Sequence, residues 1–309
     1  MATMTSSKRG TLIVVVGPTG SGKSALAVEL AQHFSAPIIS TDSRQVYRGM
    51  AIGTAQPTPQ EQAAAKHYFI ADRDIHDEFN SGRFEHEALK LLEELFKKHE
   101  YVVAVGGSGL YVQALCDGMD DLPEADEKLR SELKQRLERE GVESLAAELR
   151  ELDPEYASQM DMSNPQRVVR ALEVCLLTGM RYSELRSGRS VERDFNIVKI
   201  GTDMPRDTLY DRINRRVDMM VSDGLVDEVR ALLPYRELNS LQTVGYRELF
   251  DYFDGNSTLE EAIELIKRNS RRYAKRQLTW FRRDSSIGWF APTDLDAILS
   301  FIASATEHE

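Results

Sequence analysis

The stretch "GPTGSGKS" (residues 17–24), directly after the apolar run "TLIVVV" (11–16), constrains the fold more than any other feature of the chain. Gly17, Gly22, Lys23 and Ser24 fit the spacing G-x-x-x-x-G-K-[ST], with a strand-like run before and a helix-like run after. Glycines let the backbone curl until its N–H groups face phosphate oxygens, and the start of the next helix adds positive potential. Lys23 supplies a point charge, and the Ser24 hydroxyl can hold Mg²⁺. The pattern specifies phosphate binding but not the molecule that carries the phosphate.

The segments that follow alternate in period. Leu26, Leu30 and Phe34 recur at i, i+4, i+8 after Lys23; "PIIS" (37–40) is a short strand; 84–100 is an amphipathic helix; "YVVAV" (101–105) is a third strand, followed by "GGSGLY". This alternation predicts an α/β chain with a P-loop NTPase-like parallel sheet flanked by helices. From about 124 to 188 only helical periodicity is present. Asp153-Pro154 and Asn164-Pro165 read as breaks, with Asn164 an N-cap, Pro165 at N1 and Gly179 a C-cap. Residues 187–194 are polar and turn-like, 196–204 return to strand character, long helices follow 205, and 286–290 read as a last strand. The expected organisation is therefore a core of 1–123 and 189–309 with a helical insertion domain at 124–188.

Composition narrows the classes. No apolar run approaches the roughly 18 residues that cross a bilayer, and the start "MATMTSSKRG" has no signal-peptide pattern, so a cytoplasmic protein without membrane contact is expected. Cys116 and Cys175 fit neither a disulfide framework nor a zinc site. The net charge of −11 argues against a polyanionic partner, but its distribution matters more. Residues 117–155 hold fourteen acids against six bases, whereas 266–283 hold eight bases and no acid. On a helix, Lys267, Arg271 and Lys275 form one basic ridge and Arg268, Arg272 and Arg276 another, a credible footprint for a phosphate backbone. Tyr273 is interleaved and could stack on a base; Trp280 and Phe281 fit core packing better.

Asp42 ends the second strand in "PIISTDSRQVY". It can be a Mg²⁺ ligand, a catalytic base, or a residue capping the next turn, and position alone does not choose. Here a resemblance adds to the reading. "STDSRQVYRGMAIGTAQP" (40–57), "VGGSGLYVQAL" (105–115), "NPQRVVRALEV" (164–174), "LYDRINRRVDMMVSDGLVDEV" (209–229), "LQTVGYRE" (241–248) and "YAKRQLTWFRR" (273–283) resemble, in order, segments of the bacterial-type tRNA dimethylallyltransferases. The resemblance runs from 11 to 290. The C-terminal zinc finger of eukaryotic members has no counterpart here.

That resemblance implies transfer of a dimethylallyl group from dimethylallyl diphosphate to N6 of the adenine beside a tRNA anticodon, with Mg²⁺ and release of diphosphate. It implies that the loop Gly17, Pro18, Thr19, Gly20, Ser21, Gly22, Lys23 and Ser24 cradles the diphosphate, and that Ser24 and Asp42 hold the metal. Asp42 would act as general base, with Ser43, Arg44 and Gln45 around the adenine. Ser108 stands where the family usually has Thr and would bond near the bridging oxygen. Arg212 and Arg216, at i and i+4, would reach the leaving group, while Arg215 lies on another face. Arg130, the run Gln166, Arg167, Val168, Val169 and Arg170, the run Thr243, Val244, Gly245, Tyr246 and Arg247, and Lys275 with Arg276 would contact tRNA. Base flipping, tRNA binding before the prenyl diphosphate, and a monomer complete the expectation. Residues 66–88 depart from the family: a single His67 and Asn80-Ser81 replace its His-His and Tyr-Ser, and His67 reads as structural. Competing readings are a P-loop kinase for a small metabolite, a prenyltransferase for free adenine nucleotide, and an RNA-binding protein without catalysis.

Overall fold

The structure, a computed structural model, describes residues 10–306 except 121, 124, 125, 187 and 189. The polar start and parts of the 124–188 boundaries and of the 187–194 turn therefore lie outside the described residues. The chain divides into two compact units, Met1–Cys116 with Glu192–Glu309, and Asp117–Val191.

In the first unit β1 (Thr11–Val16) is followed by α1 (Lys23–His33), β2 (Ile38–Ser40), α2 (Pro59–Ala64), β3 (His67–Tyr68), α3 (Ser81–Leu95), β4 (Tyr101–Gly106) and α4 (Gly109–Asp117). Its second half holds β5 (Asn196–Thr202), α10 (Arg206–Ser222), α11 (Leu225–Leu232), α12 (Tyr246–Phe253), α13 (Leu259–Phe281), β6 (Gly288–Phe290) and α14 (Leu295–Thr306), the intervening helices belonging to the second unit. The sheet is parallel throughout, in the order β3-β2-β4-β1-β5-β6. β1 is buried at every position because helices cover both faces: Leu12, Val14 and Val16 enter one core, Ile13 and Val15 the other. That is why "TLIVVV" is continuous rather than alternating. Val16 pairs with Gly106 on one side and Gly201 on the other, so three strand ends lie level. The chain leaves β1 first towards β2 and returns to place β5 on the opposite side, and ligands bind at the carboxyl ends beside such a switch point.

Several expectations shift. The helix expected at 84–100 runs Ser81–Leu95, started by Asn80, whose side chain accepts the Arg83 N–H. β3 is a two-residue edge strand, too short to show a period, and α14 turns Leu295, Ile298, Leu299 and Ile302 to the core. Trp280 and Phe281 do pack on the core, Phe281 fully and Trp280 against Gly109. Among the described residues no helix is long and apolar enough to cross a membrane.

The second unit consists of α5 (Glu127–Glu140), α6 (Val142–Leu152), α7 (Pro154–Gln159), α8 (Pro165–Thr178) and α9 (Tyr182–Leu185) around Leu133, Leu145, Leu149, Val168 and Leu172. Asn164 caps α8 through the Arg167 N–H, and Gly179 ends it in the left-handed conformation at φ 67. Asp153 is buried, caps α7 through the Tyr156 N–H, and accepts both the N–H and the hydroxyl of Ser183. Burial raises its pKa, but these three donors outweigh it and hold the carboxyl below its ordinary value. Its stabilisation is therefore present at neutral pH and lost as pH falls through the lowered pKa. Asp153→Ala is expected to destabilise this unit by about 2 kcal/mol, read as an earlier thermal transition.

Candidate active site

The phosphate loop is held from outside by three elements. The Ser21 and Thr202 hydroxyls meet at 2.6 Å, tying the loop to the end of β5. The Thr19 N–H donates to Gln277 Oε1 at 2.9 Å, and Gln277 Nε2 donates to the Gly107 carbonyl at 2.9 Å. Arg212 Nε donates to the Gly20 carbonyl at 2.9 Å. Gly22 takes φ 93, a left-handed turn that opens α1 with no side-chain cap. The first N–H groups of α1 are therefore left for an anion.

Thr19, Lys23, Ser24, Asp42, Arg216 and Tyr273 line one cavity of about 340 Å³, together with Ser43, Arg44, Gln45 and the stretch Gln242–Gly245 with Arg247. Lys23 Nζ donates to the Pro18 carbonyl at 3.2 Å. Burial pushes its pKa down to about 8; the Arg216 charge pushes the same way and the Asp42 carboxylate opposes. The Arg216 pKa is likewise lowered, first by burial. Among the described residues Arg216 has no carboxylate within 4.0 Å. Two cations in one recess, neither with a carboxylate within 4.0 Å among the described residues although Asp42 and Glu61 line the same cavity, leave room for an anion between them.

Asp42 Oδ1 accepts the N–H groups of Arg44 at 2.9 Å and Gln45 at 3.3 Å. Its Oδ2 makes no protein hydrogen bond among the described residues. Gln45 anchors the turn by donating to the carbonyls of Thr54 and Ala55. Ser108 Oγ accepts the Ser43 N–H at 3.0 Å and donates to Ser43 Oγ at 3.2 Å. It thus joins the loop after β4 to the turn after β2, and it stands behind Ser43 rather than among the cavity-lining side chains. Tyr273 lines the same cavity, and burial pushes its hydroxyl up to about 12.

Several expected residues land elsewhere. Arg212 is exposed on the outer side of the loop, and Arg216 is the arginine that enters the cavity. One helical turn separates them, and only the second faces inward. The Thr19 amide is already taken by Gln277, so it is not among those open to phosphate. Val168, Val169 and Tyr246 are buried and their side chains pack inside; Tyr246 donates to Glu228 at 2.7 Å. Glu228 also accepts the Ile52 and Gly53 N–H groups, which fixes the segment after Asp42 on α11. Gln166 and Arg167 are exposed. Arg130 and Arg170 are half-buried and share the fully buried Glu173. Of the two basic ridges on α13, one is tied to the protein: Lys267 pairs with Asp218 and Glu264, and Arg271 bonds Asn214. Arg268, Arg272 and Arg276 remain exposed, as does Lys275. His67 bonds the Ala65 carbonyl through Nδ1 and also lines the cavity.

Gln277 and Glu173 had no signal of their own in the sequence, and Tyr273 stood out only as an aromatic that could stack on a base. Gln277 is 258 residues from Thr19 and sits amid charges. A Cβ on Gly107 would lie 2.1 Å from Gln277 Nε2. Gly107→Ala is therefore expected to displace Gln277, cost about 1–3 kcal/mol of stability and weaken diphosphate binding, measured by titration with inorganic diphosphate.

The donor set also bears on a metal. No cluster of three or more His, Cys, Asp or Glu suited to an ion occurs among the described residues. Ser24 and Asp42 do line the same cavity, and Mg²⁺ typically takes one or two protein oxygens alongside phosphate and water. The residues present fit that mode of binding.

A family profile described as IPP transferase matches residues 45–284. tRNA dimethylallyltransferase 1 of Bacteroides thetaiotaomicron is 50% identical over 292 residues, 94% of this chain and 95% of its own length. The tRNA dimethylallyltransferase of Cytophaga hutchinsonii is 50% identical over 291 residues, 94% and 96%. The solved full-length tRNA isopentenylpyrophosphate transferase of Bacillus halodurans is 43% identical with a TM-score of 0.71, over 96% of this chain and 97% of that one. A eukaryotic dimethylallyltransferase, solved in snapshots of its action on tRNA, is 28% identical with a TM-score of 0.78, over 96% and 77%. With the profile running from Gln45 through β4, β5 and α13, and relatives at half identity along nearly the whole chain, phosphate loop included, this chain belongs to the IPP transferase family.

Proposed function

We propose that the chain is a tRNA dimethylallyltransferase, moving a dimethylallyl group from dimethylallyl diphosphate to N6 of the adenine 3′-adjacent to the anticodon. The observation that carries this reading is the cavity itself: Lys23 and Arg216 form an anion seat, and Asp42 shares the same recess with one carboxylate oxygen unpaired. A base beside a leaving diphosphate suits transfer to a weak nucleophile. β4 ends at Gly106, with Gln277 over the following Gly107, and the acid after β5, Asp203, pairs with Arg282, so neither strand beside β1 presents an acid to the cavity as nucleotide-hydrolysing P-loop proteins do for Mg²⁺.

In this reading the amides at the start of α1, Lys23 and Arg216 bind the diphosphate and neutralise the charge that grows on it as the C–O bond breaks. The adenine N6 lone pair forms the new bond to the allylic carbon, and Asp42 Oδ2 takes the N6 proton. Ser108, bonded to Ser43, holds the turn that carries Asp42. A divalent cation, Mg²⁺ in this reading, would be held by Ser24 and Asp42 and would supply charge neutralisation at the diphosphate. The adenine must leave its stack to reach Asp42, and its entry would close the cavity over the prenyl diphosphate, so tRNA binds first. The test is incubation with labelled dimethylallyl diphosphate, Mg²⁺ and unmodified tRNA. Label in the tRNA adenine supports the reading; label in AMP alone, or ATP turnover without transfer, overturns it.

A further inference from the structure

We infer that a second groove, outside the catalytic cavity, binds a nucleotide of the RNA substrate next to the one that reacts. The inference rests on the tRNA reading above. The groove has a volume of about 510 Å³ and lies between the residues after β5, the first turn of α10 and the last turns of α13. Its floor is apolar: Met204, Leu209 and Leu278 pack on a small core with Ile213 and Ala274. Its rim is cationic. Arg206 and Lys275 have no carboxylate within 4.0 Å among the described residues, and Arg282 has Asp203 at 3.1 Å. Three cations thus face one acid in a chain of net charge −11.

This combination selects among ligands. A bare phosphate has no use for an apolar floor, and an apolar peptide has none for three cations. A nucleotide uses both, its base on the floor and its phosphate on the rim. Tyr210 is half-buried in the wall, with the Arg206 guanidinium 5.0 Å above its ring. Unstacked RNA bases lie on aromatic rings and on arginine planes of this kind.

Placement favours RNA over a free nucleotide. Arg276 lines the catalytic cavity and Lys275, its neighbour on α13, lines the groove. Leu209 of the floor also packs on Gly20 of the phosphate loop. A strand whose adenine enters the cavity would pass Arg276 and meet Lys275 next. The exposed Arg268 and Arg272 continue the same positive surface away from the groove.

The test measures binding of an anticodon stem-loop RNA to the full chain without prenyl diphosphate, so that nothing turns over. Tyr210→Ala is expected to weaken binding roughly tenfold, and Tyr210→Phe to retain it. Arg206→Gln, an exposed change, is expected to reduce the slope of log affinity against log salt by about one. The KM for dimethylallyl diphosphate should not move, whereas a general loss of structure would move it. Stem-loop binding within twofold of wild type for both Tyr210→Ala and Arg206→Gln overturns the inference and leaves the tRNA reading standing. AMP binding that is lost in Tyr210→Ala but unaffected by the stem-loop would make this a free-nucleotide site and also overturn it. If the wild-type chain binds no stem-loop at all, both readings fall together.

Discussion

Asp42→Asn is expected to lower kcat by about 10²–10⁴-fold while leaving tRNA binding and folding close to wild type. Asparagine keeps an oxygen where Oδ1 accepts the Arg44 and Gln45 N–H groups, so the turn survives. It offers an amide in place of Oδ2, and an amide does not accept the N6 proton. Asp42→Ala removes both functions, so it should lose kcat to the same degree and weaken tRNA binding as well, because Arg44 and Gln45 lose their anchor. Single-turnover transfer with saturating tRNA separates the two effects. Transfer by Asp42→Asn within tenfold of wild type would remove Asp42 from the base role and leave it as a turn residue.

Lys23→Met should lower kcat/KM for dimethylallyl diphosphate by about 10²–10³-fold, since it deletes a charged donor from a water-poor anion seat. The pH dependence is the sharper signature. The Lys23 pKa lies near 8, lowered by burial and by Arg216. Below pH 8 the lysine is charged and diphosphate affinity should be flat. Above pH 8 the free protein loses the proton that the bound diphosphate wants, and affinity should fall about tenfold per pH unit. Lys23→Met should lack this break. Stability runs the other way. Below pH 8 the cost of burying the charge is fully present, and between about 8 and the ordinary 10.5 the folded chain sheds its proton before the unfolded one, so stability rises. A KM for prenyl diphosphate that is level from pH 7 to 10 would show that Lys23 does not carry the seat.

The periodic and punctuated parts of the chain were legible from residue order. "TLIVVV", "PIIS" and "NIVKIGT" all became strands of one parallel sheet, and "TLIVVV" is apolar after its first residue because both of its faces are covered. Asn164 and Gly179 cap α8 because a short side-chain amide oxygen that accepts the Arg167 N–H and a left-handed residue answer needs local to that helix. Side-chain direction was less legible. Arg212 and Arg216 share a helix stripe, yet one bonds the Gly20 carbonyl of the phosphate loop and the other lines the cavity. The two basic ridges of α13 look alike in sequence, and only the acids and amide of neighbouring segments separate them: Asp218 and Asn214 on α10, with Glu264 on α13 itself, bind Lys267 and Arg271 and leave the other ridge exposed.

The sequence by itself determined the local units: a phosphate loop between strand and helix, an acid at the end of the second strand, a helical segment with its caps, and a basic stripe. Each of these depends on interactions within a few residues, which spacing and residue type encode. Only the tertiary structure decided what those units share. It brought Gln277 onto Thr19 across 258 residues, set Arg216 beside Lys23 and Asp42, and buried Tyr246 against Glu228. Those meetings are fixed by strand order and helix packing, whose long-range partners leave no period in the chain for a reader to count.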